Sequence, residues 1–436
     1  MTHVRFLARA GLAAWLAAAG MAGVAGAQDR AARADLVIAA STDIHGWVRG
    51  WDYYADSADA RRGLTRVATI FDSIRASAPG RAVFVDAGDF LQGNPLTYVA
   101  SRPGFAGPHP VVAAMNALRY DAVVIGNHEF NYGLPFLDRA LADAKFPLLA
   151  SNARRVDGKR GWAPAAFVDR AGVRVAIVGV TTPWSMVWDK LHLQGKLQID
   201  DVVPSVRRAV KDARAAGAQV VVVVSHAGLQ SAGGPSNEMP GMEAENPMAA
   251  VAREVPGIDA IILGHTHAEF ADTTINGVLL VQPRNWATSV AVATLTVERD
   301  GKAWRVAGKH GAIVRVAGHA ERQDVLDGSA AAHAAARKYA TATVGATSTE
   351  WRSDSARTRD TPVIDFIGEV MRRASGADLA STAVFSTNIA IPKGTLTVAQ
   401  IARLYPYDNT MRVVKMSGTT LKALDRKSTR LNSSHV

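Results

Sequence analysis

The chain has 436 residues, 48% of them apolar and 20% charged, which is enough apolar material for a sizeable core and excludes a wholly disordered chain. The formal net charge of +10 suits an anionic partner, but no five consecutive Lys or Arg occur, so a nucleic-acid footprint is not indicated. The absence of cysteine excludes disulfides, thiolate metal ligands and a cysteine nucleophile.

The first 27 residues read as an export signal. Arg5 and Arg9 give a positive start, Ala10 to Val24 is apolar or Gly throughout, and Ala25-Gly26-Ala27 is a small-residue cleavage pattern before Gln28. An amphipathic first helix fits less well, because the apolar stretch has no polar face. The expected mature protein is periplasmic or secreted. No internal apolar run reaches the roughly 20 residues of a membrane-spanning helix, so no transmembrane anchor is expected.

From Ala34 to about Val316, short apolar runs alternate with amphipathic segments. Strands are predicted at 35–40, 82–85, 122–125, 173–180, 219–224, 260–263, 278–281 and 289–297. Helices are predicted at 63–75, 133–144 and 203–215. The near-continuous apolar run from Val220 to Val224 suits a strand covered on both faces, as in a layered α/β fold. Residues 230–246 are rich in Gly, Ser and Pro, carry Glu238, Glu243 and Glu245, and read as a surface loop or lid.

An Ala-rich helical stretch at 322–342 either connects two domains or closes the first. A second α/β segment at 343–425 is short for an independent domain, which hints at truncation. Apolar periodicity stops after Asp425. Residues 426–436 read as a non-native tail, or as a frayed end, and are set aside from fold reasoning.

Five motifs follow predicted strands: Asp43-Ile44-His45, Gly88-Asp89, Gly126-Asn127-His128-Glu129, Ser225-His226 and Gly264-His265-Thr266-His267. Each alone has an ordinary explanation as a turn, a helix cap or a satisfied polar residue. In an extended segment, Asp43 and His45 would point the same way and reach one metal. Ligands of parallel α/β folds bind beyond the carboxyl ends of the strands, where all five motifs fall. Two Asp, four His and one Asn gathered there exceed one tetrahedral site. Imidazole and carboxylate without thiolate suit Zn, Mn, Co or Fe. A pair of such ions can activate a water and clamp a phosphoryl group during in-line displacement.

In this order the motifs resemble those of the calcineurin-like metallophosphoesterases. The longer context is similar to the exported 5′-nucleotidase and 2′,3′-cyclic-nucleotide 2′-phosphodiesterase/3′-nucleotidase family. The resemblance implies a four-layer αββα catalytic domain at 34–318, a linker helix at 319–342, and a truncated α/β nucleotide-recognition domain at 343–425. It implies two divalent ions. One would take Asp43, His45, Asp89 and His267. The other would take Asp89, Asn127, His226 and His265, with Asp89 bridging. His128 resembles the histidine that stabilises the transition state or protonates the leaving oxygen; packing of its loop is its plainer role.

One departure separates the branches. Many 5′-nucleotidase relatives carry Asp three residues after that histidine, whereas this chain has Asn131. A neutral partner does not raise the imidazole pKa as a carboxylate does. The Asn-Tyr-Gly run resembles the cyclic-phosphodiesterase/3′-nucleotidase branch. In the second domain, Asn388 resembles a substrate-binding residue, but the expected phosphate-binding Arg is missing from Asn388-Ile389-Ala390-Ile391-Pro392. Tyr407 resembles one ring of an aromatic base clamp, or is a half-buried strand residue. The resemblance places the second clamp ring beyond residue 425.

The expected activity is dinuclear-metal hydrolysis of a small nucleotide phosphoester, with no stable nucleic-acid complex. The alternatives are a 5′-nucleotidase or UDP-sugar hydrolase with the same metals, a sulfur-ester hydrolase on the same scaffold, or a non-catalytic exported nucleotide-binding protein.

Overall fold

Alternating burial along the strands sorts the apolar side chains of the main domain into three cores. In a strand, successive side chains face opposite sides. Leu36, Ile38 and Ala40 therefore enter one core while Ala39 enters another. Val220, Val222 and Val224 likewise part from Val221 and Val223.

The computed structural model describes residues 33–159, 161–229, 240–301, 303–384, 386–405 and 411–433. The expected signal peptide, Glu238 and Tyr407 lie outside the described residues. Twelve strands form two six-stranded sheets. In chain order they are β1 (Arg33–Ser41), β2 (Ala82–Asp86), β3 (Ala122–Val124), β4 (Leu148–Leu149), β5 (Ala165–Arg170) and β6 (Val173–Thr181). The remaining six are β7 (Val220–His226), β8 (Ala260–Leu263), β9 (Phe270–Ile275), β10 (Val278–Gln282), β11 (Ser289–Asp300) and β12 (Ala303–Arg315).

The first sheet runs β12-β11-β1-β2-β3-β4 and the second β9-β10-β8-β7-β6-β5. Strands β1 to β4 are mutually parallel, as are β6, β7, β8 and β10. The antiparallel pairings fall at the sheet margins, with β11 on β1, β12 on β11, β5 on β6 and β9 on β10. The middle core lies between the sheets and draws on both. Helices cover each outer face. Val67 and Phe71 of the helix Leu64–Ser77 bury against the first sheet. Val206, Ala209, Val210 and Ala213 of the helix Val202–Ala215 bury against the second, at the helical spacing that makes one apolar stripe. The result is the expected four-layer αββα arrangement.

The predicted central strands and helices are present. Strands β4, β5, β9 and β12 were not predicted: β4 is only two residues long, and the others alternate apolar with polar or charged residues and lie toward a sheet edge. The stretch 322–342 is two helices, Gln323–Gly328 and Ala330–Ala340, not one. Buried Ser329 marks the break. Its Oγ donates to the Val325 carbonyl at 2.7 Å, and Arg49 donates to both Ser329 Oγ and the Leu326 carbonyl. The second helix docks on the main domain, with Tyr339 stacked on Tyr98 at 5.0 Å between ring centres.

Beyond it, a small core gathers Trp351, Val363, Ile389, Ile391, Leu396 and Leu404. Two short antiparallel pairs frame it: Thr343–Thr347 with Gly394–Thr397, and Trp351–Arg352 with Ala390–Ile391. The last helix, Gly418–Ser433, continues past Asp425. Met411, Val413, Val414, Met416, Leu421 and Leu424 are exposed.

Candidate metal centre

The carboxyl ends of β1, β2 and β3 in one sheet and β6, β7 and β8 in the other meet at one edge of the sandwich. The loops leaving them carry the five motifs, and the structure brings the seven ligand-type residues together. Three groups of donor atoms each lie within 4.8 Å of one another: Asp43, His45 and His267; His45, Asp89 and His128; Asp89, His226 and His265. Asp89 therefore stands between two clusters.

The Asp43–His45 segment is not extended, contrary to expectation. Asp43 and His45 each have φ of 47°, in the left-handed region. Asp89, His265 and His267 share it, with φ of 60°, 72° and 54°. Asp and His enter this region more readily than branched or bulky residues do. Such conformations cost free energy and persist where the surroundings over-determine them. Here the restraints are backbone hydrogen bonds. Asp43 N donates to Gly88 O at 2.8 Å, His45 N to Asp89 O at 2.9 Å, and Trp286 N to Asp43 O at 2.8 Å. Gly88 has φ of 97°, and a Cβ there would lie 2.7 Å from Gly126 N and 2.9 Å from His226 Nδ1.

The imidazoles are oriented from behind. His45 Nδ1 donates to Gln92 O at 2.7 Å and His226 Nδ1 to Ala87 O at 2.6 Å. Each Nε2 lone pair is thereby turned into the site, the arrangement of a metal-ligating histidine. His226 Nε2 faces Asp89 Oδ2 at 2.9 Å and Asn127 Oδ1 at 3.1 Å. Three acceptor atoms cannot share a space without a cation among them. With a proton there, His226 is a buried imidazolium. Burial opposes that charge, but Asp89 outweighs it and raises the pKa to about 10. A divalent ion satisfies the same atoms. His45 goes the other way, held down to about 4 by burial and by His128. Burial opposes ionisation of Asp43, yet the hydrogen bond from His267 and the charges of His226 and His267 hold its pKa down to about 2. Buried carboxylates and imidazoles without thiolates fit a borderline or hard divalent ion.

Asp43 and His226 are fully buried, whereas the His267 side chain is 41% exposed and that of His128 is 23% exposed. The cluster is thus open on the His267–His128 side. His128 N donates to Asp89 Oδ1 at 2.8 Å, and its Nδ1 lies 2.6 Å from Asn131 Oδ1.

Five contributors were not assigned from sequence. Glu129 is fully buried and accepts the backbone N–H groups of Asp89, Phe90, Leu91 and Gly126 at 2.7–3.0 Å. It lies inside a quoted motif, and its place beside two candidate functional residues was the available signal. Glu245, read as part of a lid, meets His265 Nε2 at 2.7 Å. Its neighbour Glu243 receives Val202 N and Val203 N at the start of the helix Val202–Ala215. Trp188 packs against His265 with ring centres 5.7 Å apart. Asp189 accepts the side-chain amide of Asn131 at 3.1 and 3.3 Å. It follows β6, an interior strand of the second sheet to which no motif had been assigned.

The second domain contributes less. Asn388 is exposed, its backbone N–H donates to Ser386 Oγ, and none of the cluster's hydrogen bonds reaches it. The isoleucines that stand where an Arg was sought, Ile389 and Ile391, are buried in the small core.

Comparison with known proteins agrees with this geometry. Residues 36–269 match the calcineurin-like phosphoesterase family model, and residues 338–434 match that of the 5′-nucleotidase C-terminal domain. The 2′,3′-cyclic-nucleotide 2′-phosphodiesterase/3′-nucleotidase of Yersinia enterocolitica is 33% identical over 90% of this chain and 67% of its own length. The trifunctional nucleotide phosphoesterase protein YfkN of Bacillus subtilis is 32% identical over 91% of this chain, which spans only 30% of that protein. A crystal structure of calcineurin-like phosphoesterase YfkN superposes with a TM-score of 0.64 at 32% identity, covering 71% of this chain and 99% of that one. The chain belongs to the calcineurin-like phosphoesterases, hydrolases of phosphoester bonds, and carries a 5′-nucleotidase C-terminal domain after that unit.

Proposed function

We propose that this chain hydrolyses small nucleotide phosphoesters with two divalent ions, acting as a 2′,3′-cyclic-nucleotide 2′-phosphodiesterase/3′-nucleotidase. The observation that carries the reading is Asp89, buried and shared by two groups of donor atoms, with His226 Nε2 lying 2.9 Å from its Oδ2 and 3.1 Å from Asn127 Oδ1. The relative from Yersinia enterocolitica, which bears that activity in its name, supports the choice of substrate.

In this reading Asp43, His45, Asp89 and His267 hold one ion. Asp89, Asn127, His226 and His265 hold the other. Bound there, the ions supply an activated water and neutralise charge on the phosphoryl group. The chain's own residues position the reaction. Asn127 turns its amide oxygen to His226, leaving its NH2 group for a phosphoryl oxygen. In the imidazolium form His128 keeps Nδ1–H on Asn131 and gives its Nε2 proton to the departing oxygen as a general acid, returning to the neutral Nδ1–H tautomer. The main domain, 34–318, carries this chemistry. The segment 343–425, with Asn388 and Tyr407, serves recognition of the nucleoside, and residues 319–342 join the two. The tripartite pattern of residues 1–27 supports action outside the cytoplasm. Among the described residues, no helix is long and apolar enough to cross a membrane.

The test compares hydrolysis of 2′,3′-cyclic AMP, 3′-AMP, 5′-AMP and UDP-glucose with Mn or Zn, and with chelator as control. Turnover of the first two, lost with chelator, is expected. Preference for 5′-AMP or UDP-glucose would reassign the substrate. Tight metal binding without any turnover would make the chain a binding protein.

A further inference from the structure

Asn131 stands where many relatives of this resemblance carry a carboxylate, yet a carboxylate is present one residue further out. We propose that Asp189 is a positioning residue for His128, acting through Asn131, in the hydrolysis proposed above, on which this inference rests. The geometry is a relay. Asp189 takes the Asn131 Nδ2 group with both oxygens, at 3.1 and 3.3 Å. The other end of the amide, Oδ1, then faces His128 Nδ1 at 2.6 Å. An amide oxygen only accepts, so one proton stays on His128 Nδ1, and the second proton of the imidazolium, on Nε2, is the one that faces the substrate side and can be transferred. That Nε2 lies 3.9 Å from Asp89 Oδ2, at the cluster.

Without Asp189, nothing in this contact set distinguishes the two ends of the Asn131 amide, and a flipped amide would point NH2 at His128. Asp189 is itself fixed. Its side chain is buried, its N–H donates to Ser185 O at 2.9 Å, and its carbonyl accepts His192 N at 2.8 Å and Leu193 N at 3.0 Å. The restraint on the imidazole therefore comes from the turn between the short helices Ser185–Trp188 and Lys190–Leu193, 58 residues along the chain from the amide it orients. A buried carboxylate is costly unless hydrogen-bonded, so Asn131 and Asp189 each satisfy the other.

The test uses the isosteric swap. Asp189→Asn offers both an oxygen and an NH2 group and no longer dictates the orientation of Asn131. The double variant Asn131→Asp/Asp189→Asn restores a one-way relay, with the acid now against His128. On 3′-AMP, whose ribose oxygen needs a proton to leave, Asp189→Asn is expected to lower kcat about tenfold or more, a part of what a positioned acid contributes. KM should stay within about twofold, and the double variant should recover most of kcat. On bis(p-nitrophenyl) phosphate, whose leaving group departs unprotonated, Asp189→Asn should change turnover by less than about threefold. Nitrogen-15 histidine spectra of the metal-free protein should show His128 as the Nδ1–H tautomer in wild type and a tautomer mixture in Asp189→Asn. Equal losses on both substrates, failure of the double variant to recover, or an unchanged tautomer would overturn the relay. If wild type loaded with metal turns over neither substrate, the proposed function fails instead, and the spectra alone decide the positioning of His128.

Discussion

Glu129 Oε2 accepts the backbone N–H of Asp89 at 2.8 Å, so a buried carboxylate that is not among the candidate ligands holds the shared ligand by its main chain. The same oxygen accepts Gly126 N, and Oε1 accepts Phe90 N and Leu91 N. Glu129 thus fastens the loops after β2 and β3 together. Glu129→Gln turns an NH2 group toward one of these donor pairs. A buried unsatisfied donor costs about 1–3 kcal/mol, so a loss of about 2–6 kcal/mol of stability is expected. Thermal unfolding by circular dichroism checks it; a Gln variant that melts with wild type would remove Glu129 from this role.

Asp89→Ala should lose binding at both clusters, not at one. Two equivalents of Mn or Zn are expected in wild type by calorimetry, and hydrolysis of bis(p-nitrophenyl) phosphate should fall to the chelator background in the variant. Ions present at a hundred times their Kd should also stabilise the wild-type fold by about 2.7 kcal/mol per site, a gain the variant should lack. One retained site of unchanged affinity would contradict a shared Asp89.

Gly126 presses against Asp89. A Cβ built on it would overlap Asp89 Oδ1 and lie 2.6 Å from Asp89 N. Gly126→Ala should therefore displace the shared carboxylate and weaken metal binding roughly tenfold to a hundredfold, the usual cost of disturbing the support of a ligand. Titration of the metal-free protein with Mn measures this directly, and wild-type affinity would refute the steric account.

His109, at the start of the helix Pro110–Leu118, is buried beside Phe136, and among the described residues neither of its ring nitrogens has a hydrogen-bond partner. Burial, with Arg139 adding to it, holds its pKa down to about 3. Its folded pKa is below the unfolded value of 6.5, so the unfolded chain binds the extra proton between these values. The stability of the neutral form is complete above about pH 6.5 and is lost as pH falls toward 3. At pH 5 the loss is about 2 kcal/mol. His109→Leu should flatten the fall in melting temperature between pH 7 and pH 5. An equally steep fall in the variant would place the acid sensitivity elsewhere.

Val413 and Val414 are 65% and 67% exposed, within a stretch that also exposes Met411 and Met416. Exposed apolar patches drive association. Light scattering should show concentration-dependent self-association that Val413→Ser/Val414→Ser reduces. An unchanged profile would mean that this stretch is not the adhesive surface.

Much of this molecule is legible in the sequence, for reasons that also mark the limits. Val220 to Val224 reads as a strand because burial on both faces demands an unbroken apolar run. The edge strand Ala165–Arg170 does not, because its exposed face, which carries Phe167 and Asp169, admits a charge and its other face is only half-buried. Asp43, His45, Asp89 and the other ligand-type residues stand out because each follows an apolar run. Their backbone conformation is hidden, since residue type alone does not separate an extended Asp-x-His from one with two left-handed residues. Asn131 was read as a neutral partner for His128, which it is; the carboxylate behind it comes from a loop that carries no motif. Gly328-Ser329 sits inside an Ala-rich helical pattern, and only the contact with Arg49 reveals the break there.

The left-handed conformations of Asp43, His45, Asp89, His265 and His267 also bear on how such a centre is transplanted or varied. A library randomised at these positions and selected only for folding, in the presence of chelator, should return Gly, Asn, Asp and His and reject Val, Ile and Thr. The preference would look like selection for metal ligands although no metal took part. Grafting the five motifs onto another sandwich therefore requires copying the dihedral angles of the loops first and the side chains second.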